Sequence, residues 1–265
     1  MVEYIIYIGI LRQLKRVRPH RLVVEVSGLW VYPCSVISKQ YAVLILYLLD
    51  VTICLIAIGR KSSRVYALTK IFLMPLLYGV YYLFLPESLR GYSYQRFVAI
   101  ALGFHTFGDI CLLFPRNKDK HMFYLGMLSF FIGHIFYSLW FLRADVGHTK
   151  QWAVIAFMLC FLLEYAIFRQ LMLGPRKYAP ILVPYSFGLC AIAITIASTM
   201  GNGSPGYATV VSFIGVALFY FSDFCIMRRM VRLPLFGQMV VMSTYIAGQS
   251  LIILGMLLMQ IVPLR

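Results

Sequence analysis

Eight long apolar blocks recur along this chain, separated by short polar connections. Each block holds about 17 to 25 residues, the length that an α-helix needs to cross roughly 30 Å of hydrocarbon. Backbone polar groups in lipid must be hydrogen-bonded within their own segment, and an alternation of period two is absent, so we expect helices. The chain is therefore predicted to be an all-α integral membrane protein with eight transmembrane helices. Their approximate bounds are 41–58, 65–85, 97–115, 122–142, 152–172, 178–199, 207–227 and 236–260.

The composition fits a membrane protein and separates three segments. Hydrophobic residues make up 62% of the chain and charged residues 12%, and the mean hydropathy is +0.84, far more apolar than an average soluble protein. Residues 1–40 differ, because their apolar runs are too short to span a bilayer and six basic residues lie among them. We predict a basic cytosolic or interfacial extension over 1–40, a transmembrane domain over 41–260 and a short tail over 261–265.

The net charge of +15 could suggest a nucleic-acid partner. The basic residues, however, are spread over the ends of the connections and are not interleaved with aromatic residues on one surface. Anionic headgroups next to the loops account for them, so the expected partner is the membrane and not a nucleic acid. Five of the six cysteines fall inside apolar blocks, and no disulfide framework is expected.

The basic residues are divided unevenly between the two sides of the predicted bundle. The connections after helices 1, 3, 5 and 7 carry twelve of them, whereas the connections after helices 2, 4 and 6 and the tail carry five. By the positive-inside rule the first set faces the cytosol, although the six basic residues of the N-terminal extension favour the opposite orientation. We follow the loops because their bias repeats four times. In a eukaryote we expect the endoplasmic reticulum or another endomembrane.

Matched phrases in the two halves of the chain indicate an internal duplication. Phe107-Gly108-Asp109-Ile110-Cys111 returns 114 residues later as Phe221-Ser222-Asp223-Phe224-Cys225. The halves, 41–148 and 149–260, hold four helices each, so the copies would be related by an axis along the membrane normal. Three further matches follow the same order at nearly the same offset: Leu48-Leu49-Asp50 with Leu162-Leu163-Glu164, Leu73-Met74-Pro75 with Leu182-Val183-Pro184, and Gly133-His134 with Gly248-Gln249.

Asp109 and Asp223 are the leading candidates for a functional site. A carboxylate in hydrocarbon costs several kcal/mol, roughly 3 on insertion scales, and a helix-packing hydrogen bond is the alternative explanation. Lys70, Tyr185 and Tyr245 are expected at the same membrane face. This distribution predicts a cavity that is entered from one leaflet.

Two histidines belong to the same set of polar residues. His105 lies one turn before Asp109 and can share a helix face with it, while His134 and Tyr137 share a face deeper in helix 4. A metal site of His105, Asp109, His134 and Asp223 is conceivable, but the spacing matches no known ligand motif.

The motifs around these residues resemble those of the YhhN-like lysoplasmalogenase family over roughly residues 41–260. One departure is Ile71, where many relatives continue Thr-Lys with Pro. The matching motifs, in chain order, are Thr69-Lys70, Met74-Pro75-Leu76-Leu77, Gly108-Asp109, Phe123, Gly126, Gly133-His134-Ile135, Tyr137, Pro184-Tyr185, Ser222-Asp223, Thr244-Tyr245 and Gln249.

The resemblance implies a membrane enzyme that hydrolyses the vinyl ether bond of lysoplasmalogens in the bilayer, releasing a fatty aldehyde and a glycerophospho-base. This chemistry requires a protonated acid and a carboxylate, as in glycoside hydrolysis, and no metal, cofactor or covalent nucleophile. We expect Asp109 and Asp223 to form that pair, with either one as the acid. We expect His134, Tyr137 and Tyr245 to position water or the leaving oxygen, and Lys70 to hold the phosphate. Tyr185, Gln249 and His105 are further candidates for contact with the substrate.

Three other functions remain open at this stage. A proton-coupled transporter also uses intramembrane carboxylates and duplicated halves. A metal-dependent lipid hydrolase would use His105 and His134 as ligands. A catalytically silent member of the same family would bind lysolipid and turn nothing over.

Overall fold

Eight long helices make up most of the computed structural model, which describes residues 25–26, 29–30, 34–114, 120–143, 150–172, 179–200, 206–230 and 236–261. A single turn of 3₁₀-helix, Glu87–Leu89, lies between the second and third helices. The helices are α1 (Cys34–Gly59), α2 (Ser63–Phe84), α3 (Gln95–Leu113), α4 (Lys120–Arg143), α5 (Lys150–Met172), α6 (Ala179–Ser198), α7 (Gly206–Met230) and α8 (Gln238–Ile261).

The predicted all-helical, multi-pass architecture is confirmed, and each predicted span coincides with one helix. Six helices are long and apolar enough to cross a membrane within the described residues, namely α1 to α4, α7 and α8. The stretch Val183–Ser198 of α6 is apolar but shorter. Several helices start before the apolar block, because polar residues at an interface can continue the helical hydrogen bonds. The largest difference is in α1, which begins at Cys34, inside the segment predicted as the extension.

A short antiparallel hairpin precedes α1. Glu25–Val26 (β1) pairs with Leu29–Trp30 (β2), with Glu25 opposite Trp30 and Val26 opposite Leu29. The hairpin belongs to a compact unit over Met1–Ala42, and the helical bundle forms a second unit over Val43–Arg265. No strands were predicted there, because strands of two residues are too short to show an alternating pattern.

Six of the helices pack in a closed series. Each helix contacts the next in the order α2, α3, α4, α6, α7, α8, and α8 contacts α2 to close the series. Outside this series, α5 packs against α6. The tightest pairs are α3 with α4 and α7 with α8. Large apolar side chains on α1 and α5 are exposed, which is the surface that a bilayer would cover. The polar candidates lie on the enclosed helices of the series.

A tight turn joins α1 to α2. The Lys61 amide donates to the Ile58 carbonyl, and the Ser62 amide donates to the Ala57 carbonyl. Lys61 has a φ of 55°, so this is the left-handed residue of a Schellman motif, which satisfies the last carbonyls of a helix. The turn sets the start of α2 at Ser63, and Lys70 then falls two turns inside the helix.

Glycines allow the two tightest helix pairs to approach closely. A Cβ atom on Gly133 of α4 would lie 3.1 Å from the carbonyl oxygen of Ala101 on α3. A Cβ atom on Gly248 of α8 would lie 2.9 Å from the carbonyl oxygen of Gly215 on α7. The two crossings therefore have the same form, a glycine of the second helix against a backbone carbonyl of the first.

Candidate functional site

A cavity of about 680 Å³ lies at one end of the bundle. Its lining comes from the starts of α2, α4 and α8, the ends of α3 and α7, and the first half of α6. These helix ends are on the side of the connections after helices 1, 3, 5 and 7, the more basic set. The walls are mainly apolar, and they include Leu112, Leu113, Phe123, Met127, Phe224, Ile226, Met227 and Met242.

Asp109 is buried in the last turn and a half of α3, and both of its carboxyl oxygens have partners. The Lys70 ammonium lies 3.0 Å from Oδ1, and the Tyr245 hydroxyl donates to Oδ2 at 2.7 Å. Lys70 is itself buried, with 8% of its surface exposed. The ion pair joins α2 to α3, and it favours the ionised form of Asp109. The ammonium predicted to hold a phosphate is thus placed against a carboxylate.

Asp223 lines the same cavity in different surroundings. Tyr185 donates from its hydroxyl to Oδ2 at 2.5 Å, which joins α6 to α7. Among the described residues no cation lies within ion-pair distance of Asp223. The cavity therefore brings together two carboxyl groups, one paired with a cation and the other bonded to a neutral phenol.

The remaining predicted site residues form a second group, which we call the inner cluster: His105, His134, Tyr137 and Gln249. The Tyr137 hydroxyl donates to Gln249 Oε1 at 2.8 Å, and Gln249 Nε2 lies 3.1 Å from His105 Nδ1. The His105 and His134 rings meet edge to face, with centroids 5.2 Å apart. All four side chains are buried.

Aromatic rings stand between the inner cluster and the cavity. Phe219 lies 5.1 Å from the His134 ring and 5.4 Å from the Tyr245 ring, centroid to centroid, and Phe130 lies 5.2 Å from the His105 ring. The inner cluster is not part of the described cavity lining. Its side chains can support the rings of the cavity floor, whereas the other predicted site residues line the cavity itself.

His134 has a distinctive environment within the inner cluster. Neither ring nitrogen has a hydrogen-bond partner among the described residues, although the side chain is buried. On the side towards the cavity its ring packs against that of Tyr185, with centroids 5.4 Å apart. His134 is therefore next to the tyrosine that bonds Asp223.

Glu164 has a carboxyl group that is linked to the cavity wall. It accepts hydrogen bonds from Ser186 at 2.7 Å, from the Cys190 thiol at 3.2 Å and from the Tyr220 hydroxyl at 3.2 Å. Ser186 and Tyr220 line the cavity. Glu164 was matched with Asp50 as its sequence equivalent in the other half, and it was not among the predicted site residues.

Three residues at the mouth of the cavity were not among the sequence-based candidates. Arg229 donates from Nη1 to Gln238 Oε1 at 2.6 Å, and Gln238 Nε2 donates to the Tyr66 hydroxyl at 3.2 Å. Arg229 was counted only as a loop charge, yet it lies six residues after Asp223 on the same helix. That spacing was the signal available in the sequence.

The two carboxyl groups can act as a proton donor and an anionic stabiliser for a substrate lodged between apolar walls. Histidine, cysteine and acidic side chains do not gather in groups of three or more that could hold a metal ion anywhere in the described part of the chain.

The comparisons with known proteins give one match. Neither the curated proteins nor the solved structures contain a match to this chain. The model of the YhhN family matches residues 65–256, a range that contains α3 to α7, most of α2 and α8, and every predicted site residue. The match extends over more than half of the chain, which therefore belongs to the YhhN family.

Proposed function

We propose that this protein is a lysoplasmalogenase-like hydrolase, which cleaves the vinyl ether bond of a lysoplasmalogen to a fatty aldehyde and a glycerophospho-base. Membership of the YhhN family is consistent with this activity. The observation that carries the proposal is the pair of carboxyl groups in one apolar cavity, with Lys70 next to Asp109 and, among the described residues, a phenol but no cation next to Asp223.

The different partners of Asp109 and Asp223 suggest which one acts as the carboxylate and which as the acid. Asp109 acts as the carboxylate, because the ammonium of Lys70 balances its charge. Asp223 acts as the acid, since a partly buried carboxyl with no cation beside it among the described residues is stabilised in its neutral form. Because Oδ2 of Asp223 accepts the hydrogen bond from Tyr185, we infer that Oδ1 carries the proton. Enzymes commonly place two acidic groups in unlike surroundings to separate their roles.

The reaction begins with transfer of the Asp223 proton to the β-carbon of the alkenyl group. The electron pair of the double bond forms the new C–H bond and leaves an oxocarbenium ion at the α-carbon, which Asp109 stabilises. Water adds to the α-carbon, and its proton returns to Asp223. The resulting hemiacetal collapses as its hydroxyl proton moves to the glycerol oxygen, and this step breaks the C–O bond and releases the aldehyde.

The direct test is aldehyde release from a lysoplasmalogen by purified variants. Asp223→Asn keeps an acceptor for Tyr185 but removes the proton, so we expect turnover to fall about 100- to 10,000-fold, the range for loss of a general acid. Asp109→Asn should also reduce turnover, because it removes the charge that stabilises the cation.

The matched control is Glu87→Gln, which neutralises an acidic side chain that is 72% exposed and lies outside the cavity. It should retain the wild-type rate. If folded Asp223→Asn releases aldehyde as fast as Glu87→Gln, the assignment of the acid is wrong. If the wild-type protein binds lysoplasmalogen in detergent and releases no aldehyde, the chain is a silent lipid-binding member of its family.

We also infer that the two halves, 41–148 and 149–260, are copies related by a parallel duplication. The crossing of α3 and α4 at Ala101 and Gly133 corresponds to the crossing of α7 and α8 at Gly215 and Gly248, at offsets of 114 and 115 residues. One further contact between the same helices repeats at the same offsets. A Cβ on Gly108 would lie 3.1 Å from the Gly126 carbonyl, and the Ser222 hydroxyl donates to the Val241 carbonyl at 2.9 Å.

A further inference from the structure

Two cationic side chains occur in the described lining of the cavity, Lys70 and Arg229. The charge of Lys70 is balanced by Asp109 at 3.0 Å. No carboxylate of the described residues lies within ion-pair distance of Arg229. Within the described lining, Arg229 is therefore the cationic side chain without a carboxylate partner, and it lies at the mouth of the cavity.

The guanidinium of Arg229 is held in place by the start of α8. Nη1 donates to Gln238 Oε1 at 2.6 Å, and Nη2 donates to the backbone carbonyl of Phe236 at 3.0 Å. Gln238 in turn donates to the Tyr66 hydroxyl at 3.2 Å, so the arrangement spans α7, α8 and α2. The bonds from Nη1 and Nη2 use two of the five N–H groups of the guanidinium, so donors remain for an anion.

We propose that Arg229 binds the phosphate of the lysophospholipid headgroup at the mouth of the cavity, a role for which the sequence favoured Lys70. This inference rests on the proposed function for the place of the alkenyl group but not for the binding of the lipid. A planar guanidinium is well suited to phosphate oxygens, and charge-assisted hydrogen bonds are among the stronger ones.

The separation along α7 matches the length of such a substrate. Six residues separate Asp223 from Arg229, which corresponds to about 9 Å of helical rise. Seven covalent bonds separate the β-carbon of the alkenyl group from the phosphorus atom, about 8 Å when extended, at the advance per bond of an extended chain. Along the axis of α7, the phosphorus atom and the carbon to be protonated are therefore about as far apart as the backbones of Arg229 and Asp223.

The experiment measures binding, so that it does not depend on turnover. The probe is an alkyl-ether lysophosphatidylcholine, which lacks the vinyl group and cannot be cleaved by protonation of a double bond. It is compared with the alkylglycerol of the same chain length, which lacks the phosphate, and with glycerophosphocholine, which lacks the chain. We expect Arg229→Gln to weaken binding of the ether lysolipid about 10- to 100-fold and to leave the alkylglycerol unchanged.

A second variant tests the same charge without removing the arginine. Gln238→Glu keeps the side-chain shape but places a carboxylate where Oε1 now lies 2.6 Å from Nη1. The new carboxylate competes with the phosphate for the guanidinium of Arg229. This variant should therefore weaken binding of the ether lysolipid and leave binding of the alkylglycerol unchanged. Arg229→Lys should recover part of the affinity. Arg64→Gln removes an exposed charge from the same face, outside the cavity lining, and should have no effect.

The outcomes separate this inference from the proposed function. Unchanged binding of the ether lysolipid in Arg229→Gln and Gln238→Glu overturns the phosphate site, as does an equal loss for the alkylglycerol. An equal loss in Arg64→Gln also overturns it, because attraction would then come from the surface charge as a whole. Phosphate-dependent binding without aldehyde release from a lysoplasmalogen supports the phosphate site and rejects the hydrolase.

Discussion

At the scale of single residues, the two carboxyl groups of the cavity differ in what surrounds them. Asp109 has a cation and a phenol as partners, whereas the partner of Asp223 within the described parts of the chain is a phenol. The sequence predicted both aspartates, and it also predicted that Lys70, Tyr185 and Tyr245 lie at their depth. It could not predict which side chains pair, because pairing between helices depends on how each helix is rotated about its axis.

The ion pair of Lys70 and Asp109 leads to a prediction about stability. Lys70→Met should lower the free energy of unfolding by about 3 to 5 kcal/mol, because it leaves a buried carboxylate without its cation. The measurement is unfolding in mixed micelles of SDS and a mild detergent.

The control for this prediction is the double variant Lys70→Met with Asp109→Asn. It removes both charges and keeps an acceptor for the Tyr245 hydroxyl, so most of the lost stability should return. Equal unfolding free energies for the single and double variants would show that packing of the lysine stem, and not the charge of Asp109, causes the loss.

At the scale of elements, the apolar blocks predicted the eight helices, but not their ends or their crossings. The block of α1 begins at residue 41 and the helix at Cys34, because Cys34 to Gln40 contribute backbone hydrogen bonds without a long apolar run. Gly133 and Gly248 were noted only as members of a sequence match. The structure explains why glycine is needed at both positions, since each glycine permits a close approach to the neighbouring helix.

The crossing of α7 and α8 predicts that Gly248→Ala is destabilising. The new Cβ would lie 2.9 Å from the carbonyl oxygen of Gly215 and 2.9 Å from the amide nitrogen of Phe219. Both are backbone atoms, so the helices must move apart, and we expect a loss of about 1 to 3 kcal/mol in the free energy of unfolding. Thermal unfolding in detergent measures it.

Gly103→Ala is the matched control, because it makes the same substitution inside α3 where nothing lies within 4 Å of the new Cβ. Alanine is the better helix former by up to about 1 kcal/mol, so this variant should be as stable as the wild type or more so. If the two variants behave alike, close approach at Gly248 is not what determines the stability of the crossing.

At the scale of the whole molecule, the cavity and the basic connections lie at the same end of the bundle. The connections after helices 1, 3, 5 and 7 carry twelve basic residues, and the cavity is lined by the helix ends that those connections join. Positive loops next to anionic headgroups favour the cytosolic leaflet. A lysolipid would then enter from the cytosolic leaflet, and its phosphate would meet Arg229 at the mouth.

This arrangement predicts the orientation of the chain, which can be tested with acceptors for N-glycosylation in microsomes. An acceptor on a spacer after Arg265 should be modified, because an even number of crossings and basic odd-numbered loops place the tail on the lumenal side. An acceptor on the same spacer between residues 231 and 235, in the connection from α7 to α8, should stay unmodified.

The opposite pattern would show that the six basic residues of the N-terminal extension determine the topology. The cavity mouth would then face the lumen, and lysolipid added to sealed microsomes would be cleaved only after it had crossed the bilayer.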